Sequence, residues 1–280
     1  MNTDEHRWGG KRGRSDGAAA ALLAVAVAGC TAFQPPELAP AGTSVGDSNE
    51  GWLAEGVLVP DRGDGFQAYR ERERRYGSSR LAEVLAETAG WLQDRWDDAT
   101  LWIGDLSARS GGAVDGHHSH RAGRDVDLLF FTVSADGSAG RRARFMKFGE
   151  DGLAVGVAGP VSLDLERNWA LVAHLLEEFP QDVQYIFVSH GVKAALLTYA
   201  LEIGASLDTV ERAVSVLHQP SDSAPHDDHF HVRLYCSADD LPYGCADRPP
   251  IWPWVRRGFD RMEHAPTDDA ALLELALGEL

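Results

Sequence analysis

The stretch Gly116-His117-His118-Ser119-His120-Arg121-Ala122-Gly123-Arg124-Asp125-Val126-Asp127-Leu128-Leu129-Phe130-Phe131 decides how this chain is read. It passes from a histidine-rich turn into an apolar, β-prone run, with Gly123 as the turn and a strand expected over 126–132. Side chains two apart on a strand share a face, so Asp125 and Asp127 point the same way. Carboxylates that open an apolar run must be paired or ligated if they are buried. Alone, each would read as an aspartate capping a turn. Beside His120 and a second histidine cluster further on, both read as parts of a site.

A second window has the same character: His226-Asp227-Asp228-His229-Phe230-His231-Val232-Arg233. Its alternation predicts a strand over 229–235, with His229 and His231 on one face and Phe230 on the other. One imidazole can bind a metal ion while its neighbour transfers protons. Asp227 and Asp228 either orient these histidines or are surface acidity. The two windows hold six of the eleven histidines in the chain. Neutral imidazole is a common zinc ligand, and catalytic zinc usually takes three protein ligands and a water. A surface His-x-His would be the plain alternative for the second window taken by itself.

Around these windows the pattern is mixed. Helices are expected over 78–96, 163–179, 192–203 and 207–217, and further strands over 101–103 and 185–188. Ser78 and Ser79 are available as N-caps for the first helix, Pro180 stops the second and Gly204 ends the third. There is no regular strand–helix–strand rhythm, so the expected class is α+β.

The flanks differ from this centre. Residues 1–29 read as a secretory signal, with Arg7, Lys11, Arg12 and Arg14 ahead of a small apolar run. That run is too short to span a bilayer, which takes about 20 residues. It ends in Val27-Ala28-Gly29-Cys30, which resembles a bacterial lipobox with Cys30 as the lipidated residue. Residues 30–50 read as a flexible tether, 51–255 as the catalytic domain and 256–280 as an acidic tail. With Cys30 assigned to lipid, Cys236 and Cys245 remain, and in an oxidising compartment they read as a disulfide. Two free thiols or soft metal ligands are the alternatives. The net charge of −17 argues against nucleic acid as a partner, and against membrane contact other than through the lipid.

The two windows together resemble a known family. His120 and Asp127 followed by His229-Phe230-His231 are similar to the group that contains lysostaphin-type and D-Ala-D-Ala metallopeptidases and hedgehog domains. Longer strings narrow this down: Ile103-Gly104-Asp105-Leu106-Ser107, Gly111-Gly112, Ser44-Val45-Gly46, Arg74-Arg75-Tyr76-Gly77 and Asn168-Trp169. With the histidine windows they resemble the penicillin-insensitive murein endopeptidases over roughly residues 44–250. The resemblance implies a core of antiparallel strands flanked by helices. It implies zinc held by His120, Asp127 and His231, with His229 and His226 as catalytic histidines. His117 and Asp125 would be additional site residues. The implied substrate is the D-alanyl–meso-diaminopimelate cross-link of peptidoglycan. The implied location is the periplasm, on an outer-membrane lipid anchor. His118 stands where the wider D-Ala-D-Ala pattern has Ser, and Asp125 where it has Ala, which favours the endopeptidase branch.

Other functions are compatible with parts of this pattern. A carboxypeptidase or an L,D-amidase could use the same metal site. A non-catalytic peptidoglycan- or zinc-binding module would need no catalytic histidine. A zinc scavenger would need exposed, exchangeable histidine tracts.

Overall fold

A computed structural model describes residues 39–138, 144–155, 160–221 and 223–256. The signal, the lipobox Cys30 and nearly all of the acidic tail lie outside the described residues. Six short strands precede the first helix: β1 (Thr43–Val45), β2 (Trp52–Ala54), β3 (Val57–Leu58), β4 (Arg62–Gly63), β5 (Phe66–Ala68) and β6 (Tyr76–Gly77). The tether expected to reach residue 50 therefore gives way to paired strand by Thr43, with Thr43 and Ser44 buried. The composition of 39–50 looks unstructured, but Thr43–Val45 within it pairs antiparallel with β2.

Then follow α1 (Ser79–Arg95), β7 (Leu101–Ile103), β8 (Asp125–Leu129), β9 (Thr132–Ser134) and β10 (Val161–Leu163). The chain continues through α2 (Leu165–Glu178), β11 (Val183–Phe187), α3 (His190–Glu202), α4 (Leu207–Val216), β12 (Leu217–His218) and β13 (His229–Leu234). Side-chain caps set three of the helix starts. Ser78 accepts from Leu81 N, Asp164 from Arg167 N and Ser189 from Val192 N. α1 buries Leu81, Val84, Leu85, Thr88, Ala89 and Leu92, one stripe at helical spacing. Among the described residues, no helix is long and apolar enough to cross a membrane.

Seven strands form the main sheet in the order β12-β11-β13-β8-β7-β5-β4. The fold is α+β, but the sheet is mixed where antiparallel strands were expected. β11 pairs β12 in parallel, as β5 does β7, while β13 runs antiparallel to both β11 and β8. Both parallel pairs are joined through helices, α1 in one case and α3 and α4 in the other, which returns the chain in its original direction.

Phe230, Val232 and Leu234 of β13 alternate into the apolar cluster that also contains Leu171, Val172 and Leu175 of α2. Burying each such side chain contributes about 1.5–3 kcal/mol. The opposite face of β13 carries His229, His231 and Arg233. Asn168 anchors α2 to the end of β8: its Oδ1 accepts from Phe131 N at 3.0 Å and its Nδ2 donates to Phe131 O at 2.7 Å.

Candidate metal centre

The two histidine windows meet because β13 pairs with β8. The register places His231 opposite Asp127 and Arg233 opposite Asp125. The loop before β8 brings His117 and His120 to the same place, and Gly123 makes this possible. Its φ is 75°, and an added Cβ would lie 2.6 Å from the Leu53 side chain and 2.8 Å from Ser78 N. Gly104 permits the close approach of β7, since a Cβ there would meet Asp127 Cβ at 3.0 Å.

Asp127 is the hub. Its Oδ1 lies 3.3 Å from His120 Nε2, 3.4 Å from His229 Nε2 and 3.8 Å from His231 Nδ1. Its Oδ2 lies 3.9 Å from His117 Nε2. His120 and Asp127 are buried, with 0% and 1% of their surfaces exposed. Neither ring nitrogen of His120, nor Oδ1 of Asp127, has a hydrogen-bond partner among the described residues. Orphaned buried acceptors of this kind are costly unless a cation satisfies them, so the donor set fits a metal ion. His117, His120 and Asp127 together offer three ligand atoms within 4.8 Å of one another. His231 is held at the same carboxylate from the opposite strand. The structure thus brings His120, Asp127 and His231, the residues expected as ligands, to one place, and it is His117 that completes the close group with His120 and Asp127.

The remaining residues fall around this centre. Asp125 Oδ1 is 2.7 Å from His231 Nε2, which leaves His231 Nδ1 facing Asp127. Asp228 Oδ1 is 2.6 Å from His229 Nδ1, which leaves Nε2 facing inward. Of the two aspartates left open by the sequence, Asp228 therefore orients a histidine, while Asp227 pairs with Lys147 at 3.4 Å. The His226 ring lies 5.1 Å from that of His229 and 5.4 Å from that of His231. His118 is exposed. His120 (φ 62°) and His226 (φ 52°) both occupy left-handed backbone, a strained conformation that the surrounding contacts must impose. Cys236 and Cys245 are joined in a disulfide.

Sequence reasoning singled out no role for Asp105. It is 2% exposed, lies 3.2 Å from His117 Nε2 and is paired with Arg70 at 3.0 Å. A signal was available, since Asp105 is a carboxylate next to the end of an apolar strand, as Asp125 is one at the start of another.

The charges are strongly coupled. Burial alone would raise the Asp127 carboxyl, but His229 and His120 outweigh it and hold the group well below the usual range. Asp125 is likewise kept ionised against burial by Arg233 and His231. Burial would lower His229, yet Asp127 and Asp228 hold it up at about 10. Burial takes His226 down to about 4 and His231 to about 3, the latter helped by the nearby charge of His120. Two imidazoles on one strand face are thus driven to opposite protonation states.

His117, His118, His226, His229 and His231 line a cleft of about 270 Å³ whose wall also includes Asn49, Lys147, Phe187 and Arg233. A larger cavity of about 530 Å³, lined by Thr43, Arg80, Asp240 and Tyr243 among others, shares no residue with it and contains no histidine.

Known proteins resemble this chain over the same region. The profile of a family described as penicillin-insensitive murein endopeptidase matches residues 44–254. Proteins of that name from Salmonella paratyphi A and Salmonella typhi are each 30% identical over 223 residues, covering 75% of this chain and 71% of theirs.

Proposed function

This chain belongs to the penicillin-insensitive murein endopeptidase family, and from that premise we propose that it is a zinc-dependent hydrolase of D-alanyl–meso-diaminopimelate cross-links in peptidoglycan. The observation that carries the reading is the buried, unsatisfied Asp127 Oδ1 facing three imidazole nitrogens. His120, Asp127 and His231 would hold the ion, and His117 is a further donor beside them. When bound, zinc supplies Lewis-acid polarisation of a carbonyl and acidifies a water.

The chain's own groups supply the rest. Asp125 accepts from His231 Nε2 and so presents its Nδ1 inward, the usual carboxylate–histidine support of a metal ligand. Asp228 does the same for His229 and keeps its Nε2 toward the cleft. His229, which Asp127 and Asp228 keep protonated, is then placed to donate from Nε2 to a developing oxyanion. His226 stays neutral and can accept a hydrogen bond beside it. No serine nucleophile is called on, which accounts for a peptidase indifferent to serine-acylating penicillins.

The reading extends to the whole chain. The domain adopts a hedgehog-like arrangement and works in the periplasm. Cys30 anchors it by lipid to the outer membrane, the signal precedes that cysteine, and the acidic tail follows residue 255. Incubating the protein with cross-linked muropeptide dimers tests the activity, with zinc, with a chelator and as His229→Ala, with products read by mass spectrometry. Monomers should form in the zinc sample alone, with His229→Ala slower by about 10²–10⁴-fold. Intact dimers throughout, with zinc bound, would favour a non-catalytic peptidoglycan-binding module.

A further inference from the structure

Arg233 lies on the same face of β13 as His229 and His231, next along from them. Its Nε donates to Asp125 Oδ1 at 2.7 Å. The guanidinium lies over the Phe187 ring, 5.1 Å from its centroid, and the side chain is only 16% exposed. Among the described residues, the other hydrogen-bond acceptor within reach is Asn49 Oδ1, 3.4 Å from Nη2. One edge of the guanidinium is thus fixed by a buried carboxylate and its face by an aromatic ring. The Nη edge remains for a ligand in the cleft that Arg233 lines. Lys147 is the other cation in that wall, but its side chain is 62% exposed and its ammonium is paired with Asp227.

The substrate has a group to match. In a D-alanyl–meso-diaminopimelate cross-link, the scissile nitrogen is attached to a carbon that also bears a free carboxylate. A protein of net charge −17 repels an anionic ligand at long range, so the carboxylate must be met locally. A fixed guanidinium fork suits a carboxylate better than a mobile ammonium does. We propose that Arg233 is a specificity-determining residue that binds the carboxylate adjacent to the scissile amide nitrogen. The inference rests on the endopeptidase reading of the cleft and assigns to it substrates with a free carboxylate at that position.

Two muropeptide dimers, identical except that this carboxylate is free in one and amidated in the other, test the assignment. kcat and KM are measured on both for the zinc-loaded protein and for Arg233→Gln, Arg233→Lys and Lys147→Met. The unaltered protein should prefer the free carboxylate by about 10- to 100-fold in kcat/KM. Arg233→Gln should lose that preference mainly through KM while cutting the amidated dimer within a few-fold of the unaltered rate. Arg233→Lys, which keeps a charge beside Asp125, should retain a small part of it, and Lys147→Met all of it. Equal losses on both dimers in the two Arg233 variants would mean that Arg233 only steadies Asp125, and would overturn the proposal. Equal rates on the two dimers by the unaltered protein would overturn it too and leave the endopeptidase reading intact. No cleavage of either dimer would overturn both.

Discussion

His120 Nε2 and Asp127 Oδ1 face each other across 3.3 Å, buried, and neither atom is hydrogen-bonded among the described residues. The two groups come from opposite sides of the Gly123 turn. Each unsatisfied buried polar atom costs about 1–3 kcal/mol. A cation between the donors removes that cost.

Chelation should therefore lower the melting temperature, and zinc should restore it in a concentration-dependent way. At a free zinc concentration 100 times Kd, the gain is about 2.7 kcal/mol. Asp127→Asn should abolish the zinc-dependent shift while the metal-free protein still unfolds cooperatively. Thermal scans over a zinc titration measure this. A full shift in Asp127→Asn would remove Asp127 from the ligand set.

His174 carries a pH dependence away from the metal centre. It stacks on Trp91 at 4.2 Å and meets Phe179 edge-on at 5.6 Å, and its Nε2 has no partner among the described residues. Burial holds its pKa below 6.5 despite Glu178 and Glu177 nearby. The unfolded chain then binds a proton that the folded one resists. Its contribution is fully present above about pH 6.5 and declines as the pH falls below that value. His174→Phe should lose less stability than the unaltered protein between pH 7.5 and pH 5.5 in urea unfolding. Equal losses in the two proteins would contradict this.

Arg124 should be the costliest charge to remove. It is 2% exposed and donates to Ser44 Oγ, Leu234 O, Asp247 Oδ1, Gly46 O and Ala246 O, all within 3.2 Å. It ties the N-terminal strand β1, the end of β13 and the segment after the disulfide to the start of β8. Arg124→Met should destabilise by about 3–5 kcal/mol, because the buried cation and five hydrogen bonds, one of them to the Asp247 carboxylate, are lost together. Arg124→Lys should recover little, since an ammonium cannot reproduce the fork. Denaturant midpoints test both, and a cost below about 1 kcal/mol for Arg124→Met would refute the account.

Much of the fold was legible because the chain keeps local rules. The four helices lie within two residues of their expected bounds, since Ser78, Asp164 and Ser189 cap the first three and Pro180 or Gly204 ends the pattern of two of them. The short strands between Thr43 and Gly77 were not legible. They are two or three residues long, too short for an alternation to register, and they exist through pairing with distant segments. The mixed character of the sheet was hidden for a related reason, because strand direction follows from how connections return and not from composition.

The site divides along the same line. Residue type and spacing by themselves singled out His117, His120, Asp125 and Asp127 as one candidate window and His226, His229 and His231 as another. The period of two on each strand is a local property of the backbone, so each window could be read without the rest of the chain. Only the tertiary structure decided that Asp127 is the carboxylate that His117, His120, His229 and His231 surround, because the β8–β13 register is fixed by packing of the opposite, apolar face. It alone brought Asp105 to His117, and Arg233 to Asp125 from 108 residues away along the chain. A side chain's partner across such a separation is set by burial and pairing of the whole sheet, which no local stretch of sequence contains.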